Sequence, residues 1–117
     1  MAMRSERHPP LKPAVLFLLV SLAAGEKHGY ALRKDVVSRS GGRVRLGPAT
    51  LYRTLAFLLE DGAIEESGRR PVPELDDERR RYYRLTDRGR RMLRSEVARL
   101  EQLAASARAI LVQRGKA

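Results

Sequence analysis

The hydrophobic pattern in the first half of the chain predicts three helices. The first is a nearly unbroken apolar run from Pro13 to Ala24, which opens with a proline suited to a first helical turn and stops at Gly25. A short amphipathic helix follows, from near His28 to near Ser40. The third begins at Gly47-Pro48 and ends at Asp61-Gly62. Its buried face is predicted to carry four leucines at helical spacing: Leu51, Leu55, Leu58 and Leu59.

A two-residue period replaces the helical one in the next part of the chain. Residues 63–67 and 79–85 predict two strands of a hairpin, joined by a polar, proline-containing tip at 70–78. The segment 43–46, before the third helix, also alternates charged and apolar residues, as an extended segment does. After the hairpin, Thr86-Asp87 predicts the start of a last helix, with a side-chain acceptor for the free amides.

The last helix has the clearest periodicity in the chain. Its apolar positions are spaced four and three residues apart, as in the seam of a coiled coil: Leu93, Val97, Leu100, Ala104, Ala107 and Leu111. We call these six residues the C-terminal seam; Leu103 and Ile110 widen it. The stripe would be about 27 Å long at about 1.5 Å per residue. In so short a chain it predicts association with a second copy, the alternative being a helix that folds back on its own domain.

The composition of the chain favours a polyanionic partner and argues against several classes of enzyme. The 117 residues have the length of one domain, carry a formal charge of +10 and include 24 cationic residues, all but four of them arginine. Such a charge attracts nucleic acid or anionic lipid. The chain has no cysteine, only two histidines and no H-E-x-x-H, Walker or G-x-S-x-G motif. We therefore expect no enzyme activity, no metal and no cofactor.

The N-terminus allows a second interpretation. Arg4, Arg7 and Lys12 precede the apolar run 13–24, as in a secretory signal, and a secreted basic protein would lose residues 1–24. The run is too short to span a bilayer, which takes about 20 residues, so no membrane association is expected. A buried helix is favoured, because the remaining chain would otherwise lack the first helix of its fold.

Three helices followed by a hairpin is the order of a winged helix-turn-helix, a mainly α fold with a small β-hairpin. Residues 1–85 would form this DNA-binding unit, with a flexible tail at about 1–11, and residues 86–117 the dimerisation helix.

Several motifs strengthen this assignment. They are Leu22-Ala23-Ala24-Gly25, His28-Gly29-Tyr30, Thr50-Leu51-Tyr52-Arg53-Thr54-Leu55, Glu60-Asp61-Gly62-Ala63-Ile64 and Tyr82-Tyr83-Arg84-Leu85-Thr86-Asp87-Arg88-Gly89. Together they resemble the PadR family of bacterial transcriptional regulators, in its short-tailed branch. The resemblance implies a cytoplasmic homodimeric repressor that binds a pseudo-palindromic operator in double-stranded DNA and is released by a small-molecule effector. A nonspecific nucleic-acid-binding protein is the alternative.

This chain departs from the family in two places. The hairpin tip is acidic where a DNA-facing wing is ordinarily basic, with Glu74, Asp76, Asp77 and Glu78. The chain also has no tryptophan, so the aromatic-ligand chemistry of drug-sensing relatives is not carried over and the effector-binding residues remain unassigned.

The candidate DNA contacts begin on the third helix, where Thr50, Tyr52 and Arg53 lie off the leucine face near the N-terminal end. The alternatives are a solvated face for Arg53 and packing between helices for Tyr52. Arg43 and Arg45, just before this helix, are candidates for phosphate contacts.

Other candidate contacts lie outside the third helix. Lys27 would grip phosphate at the start of the second helix, where free amides favour an anion; the neighbouring His28 is favoured as a structural hydrogen-bonding residue. Arg79 and Arg81 share one face of the second hairpin strand. Pairing with the acidic tip is the alternative for both arginines.

Overall fold

The computed structural model of the chain describes residues 9–68 and 81–116. Its elements in chain order are α1 (Pro13–Ala24), β1 (Lys27–His28), α2 (Gly29–Arg39), α3 (Pro48–Asp61), β2 (Ile64–Glu66), β3 (Tyr82–Leu85) and α4 (Asp87–Lys116). The expected mainly α fold with a small hairpin is confirmed. Arg79 and the acidic tip, 74–78, lie outside the described residues.

All three N-terminal helices form where the hydrophobic pattern predicts them. Pro13 and Pro48 each occupy the first turn of their helix, where a missing N–H costs nothing. Gly62 ends α3 in the left-handed conformation, with φ of 86°, which a side chain would disfavour. The segment 43–46 forms no strand, but its burial alternates as expected, with Arg43 and Arg45 exposed.

The sheet has one strand more than the sequence predicts. Its order is β1-β3-β2, with β3 antiparallel to both neighbours. The placement of Lys27 at the start of the second helix was wrong, since Lys27 pairs with Tyr83 in β1 and α2 begins at Gly29. Two residues are too few to show a period, so only the pairing with β3 defines this strand.

α1 is a core helix. Its Leu18, Leu19 and Leu22 are buried in one core cluster that also contains residues of α2, α3 and the sheet. Burying one leucine contributes about 1.5–3 kcal/mol, so loss of residues 1–24 would remove a large part of the apolar core. The structure thus agrees with the buried-helix interpretation of the N-terminal run. None of the described helices is long and apolar enough to cross a membrane.

The start of α4 is fastened to the turn after α3. The Thr86 hydroxyl donates to the carbonyl oxygens of Gly62 (2.6 Å) and Ala63 (3.0 Å) and accepts the Gly89 N–H as an N-cap at 3.1 Å. A Cβ at Gly89 would collide with the Ala63 carbonyl. Glycine therefore stands where a capping box would place Glu or Gln because the backbone of α3–β2 approaches too closely for any side chain.

Candidate nucleic-acid interface

The outward face of α3 carries a continuous stripe. Thr50, Arg53 and Phe57 follow one another at i, i+3 and i+7, on the side of the helix opposite the buried Leu51 and Leu55. We call Thr50, Arg53 and Phe57 the outward stripe. The Arg53 guanidinium is exposed and has no hydrogen bond or ion pair within residues 9–68 and 81–116. A planar cation without a protein partner is thus presented where recognition helices meet base edges.

Tyr52 points away from the outward stripe. Its ring is half-buried against the core, and its hydroxyl lies beside Gly29 of α2, where an added Cβ would be 2.5 Å from that oxygen. This is the packed arrangement that stood as the alternative for Tyr52. A DNA contact by the Tyr52 hydroxyl remains a prediction.

Arg43 and Arg45 flank the stripe from a segment that is held in place. The Ser40 hydroxyl accepts the Val44 N–H at 2.9 Å, and Nε of Arg33 donates to the Leu46 carbonyl at 2.9 Å. Neither Arg43 nor Arg45 has a hydrogen bond or ion pair from its side chain to any described residue. Both cations are therefore available beside the N-terminus of α3.

The ammonium of Lys27 is engaged inside the protein. Its Nζ donates to the carbonyl oxygens of Ser21 (2.5 Å) and Gly25 (3.2 Å), which closes the C-terminal end of α1. The charge of Lys27 is thus partly neutralised by the helix end. A phosphate contact by Lys27 stays a prediction with less geometric support than the one by Arg53.

A polar network that starts at the buried Ser21 adjoins Lys27. The Ser21 hydroxyl, fully buried in α1, donates to the Asp35 carboxylate at 2.5 Å, and Nε of Arg39 donates to the same oxygen at 2.6 Å. Burial alone would raise the pKa of Asp35, but the hydrogen bonds from Ser21 and Arg39 and the nearby positive charges outweigh it and lower the pKa below 3.8. The network holds α1 to α2 and, through Lys27, to β1.

On the sheet, the arginines face acidic partners. Arg84 of β3 pairs with Glu65 across the strand at 2.8 Å, and Arg81 pairs with Glu66 at 3.4 Å. Arg81 therefore makes an acidic contact with β2; the acidic tip, with which its alternative interpretation paired it, lies outside the described residues. Arg79 lies outside the described residues.

Lys34 is an exposed cation of α2 that is not among the candidate DNA contacts predicted from the sequence. Its ammonium lies over the ring of Tyr30, 5.3 Å from the centroid, and Tyr30 is 58% exposed. Gly29, which adjoins Tyr30, touches Tyr52 of α3, on a side of that helix away from the outward stripe. The i, i+4 spacing of an aromatic residue and a lysine on an exposed face was the signal that could have found it. His28 caps α2 by accepting the Ala31 N–H at 3.2 Å, the structural role favoured from the sequence.

The C-terminal seam is covered at its start and bare at its end. Leu93 packs against the core of its own domain, and Leu111 is 68% exposed. The change occurs after Glu96, which is 1% exposed, binds Arg99 at 2.6 Å and accepts the Leu11 N–H at 3.3 Å. Beyond it, α4 leaves the domain while the same apolar stripe continues, so α4 presents an apolar surface that residues 9–68 and 81–113 leave largely uncovered.

A three-helix unit followed by a small antiparallel sheet, with its third helix exposed, defines a winged helix-turn-helix protein. The family model described as "Transcriptional regulator PadR-like family" matches residues 18–95 of this chain. A curated relative, the transcriptional regulator Rv3488 of Mycobacterium tuberculosis, is 39% identical over 89 residues, covering 76% of this chain and 77% of the relative. The chain belongs to the PadR-like family of transcriptional regulators, and its class is regulatory rather than enzymatic.

Solved structures share the fold. A PadR family transcription regulator from Clostridium difficile has a TM-score of 0.67 at 19% identity, covering 86% of this chain and 99% of that chain. Bacillus subtilis PadR, solved in complex with operator DNA, has a TM-score of 0.62 at 24% identity, covering 75% of this chain and 48% of that chain. At these identities the similarity concerns the fold.

Proposed function

We propose that this protein is a dimeric, sequence-specific repressor that places the Thr50–Arg53 surfaces of two subunits in successive major grooves of a pseudo-palindromic operator. The observation that carries the proposal is the outward stripe, where Arg53, which pairs with none of the described residues, lies on the exposed side of the third helix of a winged helix-turn-helix. The relative solved with operator DNA supports the choice of ligand. Half-sites would lie about 34 Å apart, one turn of B-DNA.

Phosphate contacts come from the cations around the stripe. Arg43 and Arg45 precede α3, and Lys34 lies on the exposed face of α2. These three cations have no carboxylate partner in the described part of the chain, and they add to the formal charge of +10. Such contacts position the protein without reading sequence. The wing is assigned a smaller part, because Arg81 and Arg84 are each neutralised by a glutamate.

The second subunit is needed to cover the exposed end of the C-terminal seam. We assign the bare residues of α4 to contacts with α1 of a second copy, whose outer side carries Leu16 and Val20 and no charged group. Because this arrangement ties the two α3 helices to one interface, a small molecule that alters the interface would change their spacing and release the operator. The protein would then act in the cytoplasm, where its DNA target is.

Competition binding tests the proposal. A library of random 30-base-pair duplexes is selected for binding, and the enriched duplex is compared with unselected duplex across a salt series. We expect an enriched two-fold sequence that binds at least about 10³-fold more tightly than random DNA. A ratio near one would mean a nonspecific nucleic-acid-binding protein instead and would overturn the proposal.

A further inference from the structure

Phe57 is an exposed aromatic residue on an otherwise regular amphipathic helix. Its side chain is 62% exposed, whereas Leu51, Leu55 and Leu58 of the same helix are buried. Phe57 takes no part in the hydrophobic core or its half-buried margin. Because most of its side chain is exposed, Phe57 stabilises the folded subunit less than a core phenylalanine would, and its apolar surface is presented to any molecule that α3 meets.

The position of Phe57 identifies what it meets. It is the third member of the outward stripe, one turn beyond Arg53 and two turns beyond Thr50. At about 1.5 Å per residue, Thr50 and Phe57 are about 10.5 Å apart along the helix axis, which equals about three base-pair steps of about 3.4 Å. A helix that places Thr50 and Arg53 against base edges therefore carries Phe57 along the same groove.

The chemistry of the major groove supplies one apolar partner. Of the groups displayed there, only the C5-methyl of thymine is a hydrocarbon; the others are hydrogen-bond donors and acceptors. We propose that Phe57 contacts a thymine methyl in each half-site and so makes the protein prefer T·A over C·G at that position. This proposal rests on the proposed function, since it specifies how the outward stripe reads its operator.

A protein partner fits this surface less well. The ring is an isolated apolar group, bounded by Arg53 on one side and Glu60 on the other, both exposed. Stable protein interfaces bury about 800 Å² on each partner, far more than one ring supplies. The exposed apolar surface that a second copy would need is on α4.

Single-methyl deletion in the DNA tests the contact directly. The enriched duplex from the selection is synthesised with one thymine at a time replaced by deoxyuridine, which differs only in lacking the methyl group. For the wild type we expect the Kd to rise about fourfold at one position in each half-site, the factor that corresponds to burial of one methyl group. Phe57→Ala should bind more weakly and be indifferent to uracil at that position.

Two further variants make the comparison specific. Arg53→Ala should weaken binding yet keep the fourfold effect of uracil, because it leaves the ring in place. Phe57→Leu should keep part of that effect. Since residue 57 is exposed, these substitutions should leave the thermal unfolding temperature of the protein nearly unchanged.

The outcomes separate the two proposals. A selected site at which uracil affects wild type and Phe57→Ala equally, or at no position affects the wild type, overturns the role of Phe57 and leaves the repressor intact. A selected half-site without thymine overturns it likewise. Failure to enrich any sequence overturns the proposed function and the role of Phe57 together.

Discussion

The hydroxyl of Tyr52 lies directly beside Gly29, so closely that a Cβ on residue 29 would come within 2.5 Å of it. Gly29 is buried at the first position of α2, and Tyr52 lies in the first half of α3. The two short motifs H-G-Y and T-L-Y, which lie more than 20 residues apart in the sequence, are therefore in contact. This contact sets the distance between the two helices that carry the proposed DNA contacts.

Replacing Gly29 with alanine should destabilise the protein by about 1–3 kcal/mol, because the added methyl must displace a ring held against the core. Chemical denaturation measures the change in the free energy of unfolding. Gly47→Ala is the matched control, since nothing lies within 4 Å of a Cβ there. Its net effect should be under about 0.5 kcal/mol, because alanine caps the helix less well but also lowers the entropy of the unfolded chain. Equal losses for the two variants would contradict the close contact.

Arg53→Ala should weaken binding to the selected operator by about 1–3 kcal/mol and binding to random duplex much less, if the guanidinium makes a bidentate base contact. Fluorescence anisotropy with both duplexes measures the difference. Arg108→Ala, which removes an exposed cation from the far part of α4, is the control for net charge. Equal losses on the two duplexes would reduce Arg53 to a phosphate contact.

Replacing Arg45 with glutamine should make the negative slope of log association constant against log salt concentration shallower by about 0.9. This is the value for the loss of one phosphate contact on duplex DNA. Lys34→Gln should do the same, because its ammonium has no carboxylate partner in the described residues. Both variants should weaken binding uniformly across sequences. An unchanged slope in either variant would remove that residue from the backbone-binding set.

Leu111→Asp should dissociate the proposed dimer. Burial of one leucine is worth about 2 kcal/mol, and a carboxylate in its place adds a desolvation cost. Sedimentation velocity at micromolar concentration measures the fraction of dimer. Ala105→Asp places the same charge on another side of α4 and should leave the dimer intact. Dissociation by both substitutions, or by neither, would argue against the C-terminal seam as the interface.

Asp35 should make the stability of the protein depend on pH in acid. Its pKa is lower in the folded chain than its ordinary value of 3.8, so the folded state prefers the carboxylate. The resulting stabilisation is present above pH about 4 and is lost as the pH falls through the folded pKa. The difference in unfolding free energy between wild type and Asp35→Asn should therefore be largest near neutrality and shrink in acid. A difference that stays constant from pH 7 to pH 2 would contradict this assignment.

Much of the fold could be predicted because the signals that start and end each helix lie within or next to that helix in the sequence. The bounds of α1 and α3 follow from Pro13, Pro48 and Gly62, which act within one turn of their own positions. The strand β1 could not be predicted, since it consists of two residues whose only defining property is pairing with Tyr82 and Tyr83. The incomplete cap at Gly89 was likewise visible in the sequence, but its cause, the approach of the Ala63 carbonyl, was not.

The residues of the candidate site also fall into those that local sequence patterns predict and those that only tertiary contacts define. Arg53 and Thr50 follow from helical periodicity, because exposure opposite a leucine face needs no tertiary information. The position of Lys27 was predicted less accurately, since the carbonyl groups that accept its hydrogen bonds belong to the C-terminal end of a different helix, α1. Phe57 was not predicted as an outward residue, because a phenylalanine in a helix ordinarily belongs to the core. Only its exposure in the folded structure shows otherwise.

The sequence by itself determined the order of the four helices and the hairpin, the family and the outward positions of Thr50 and Arg53, because hydrophobic period and turn chemistry act over a few neighbouring residues. The tertiary structure alone decided which polar groups were already engaged within the fold and which remained for another molecule. Tyr52 packs against Gly29 and Arg81 pairs with Glu66, both in chain segments well separated in sequence, and no local pattern records those contacts.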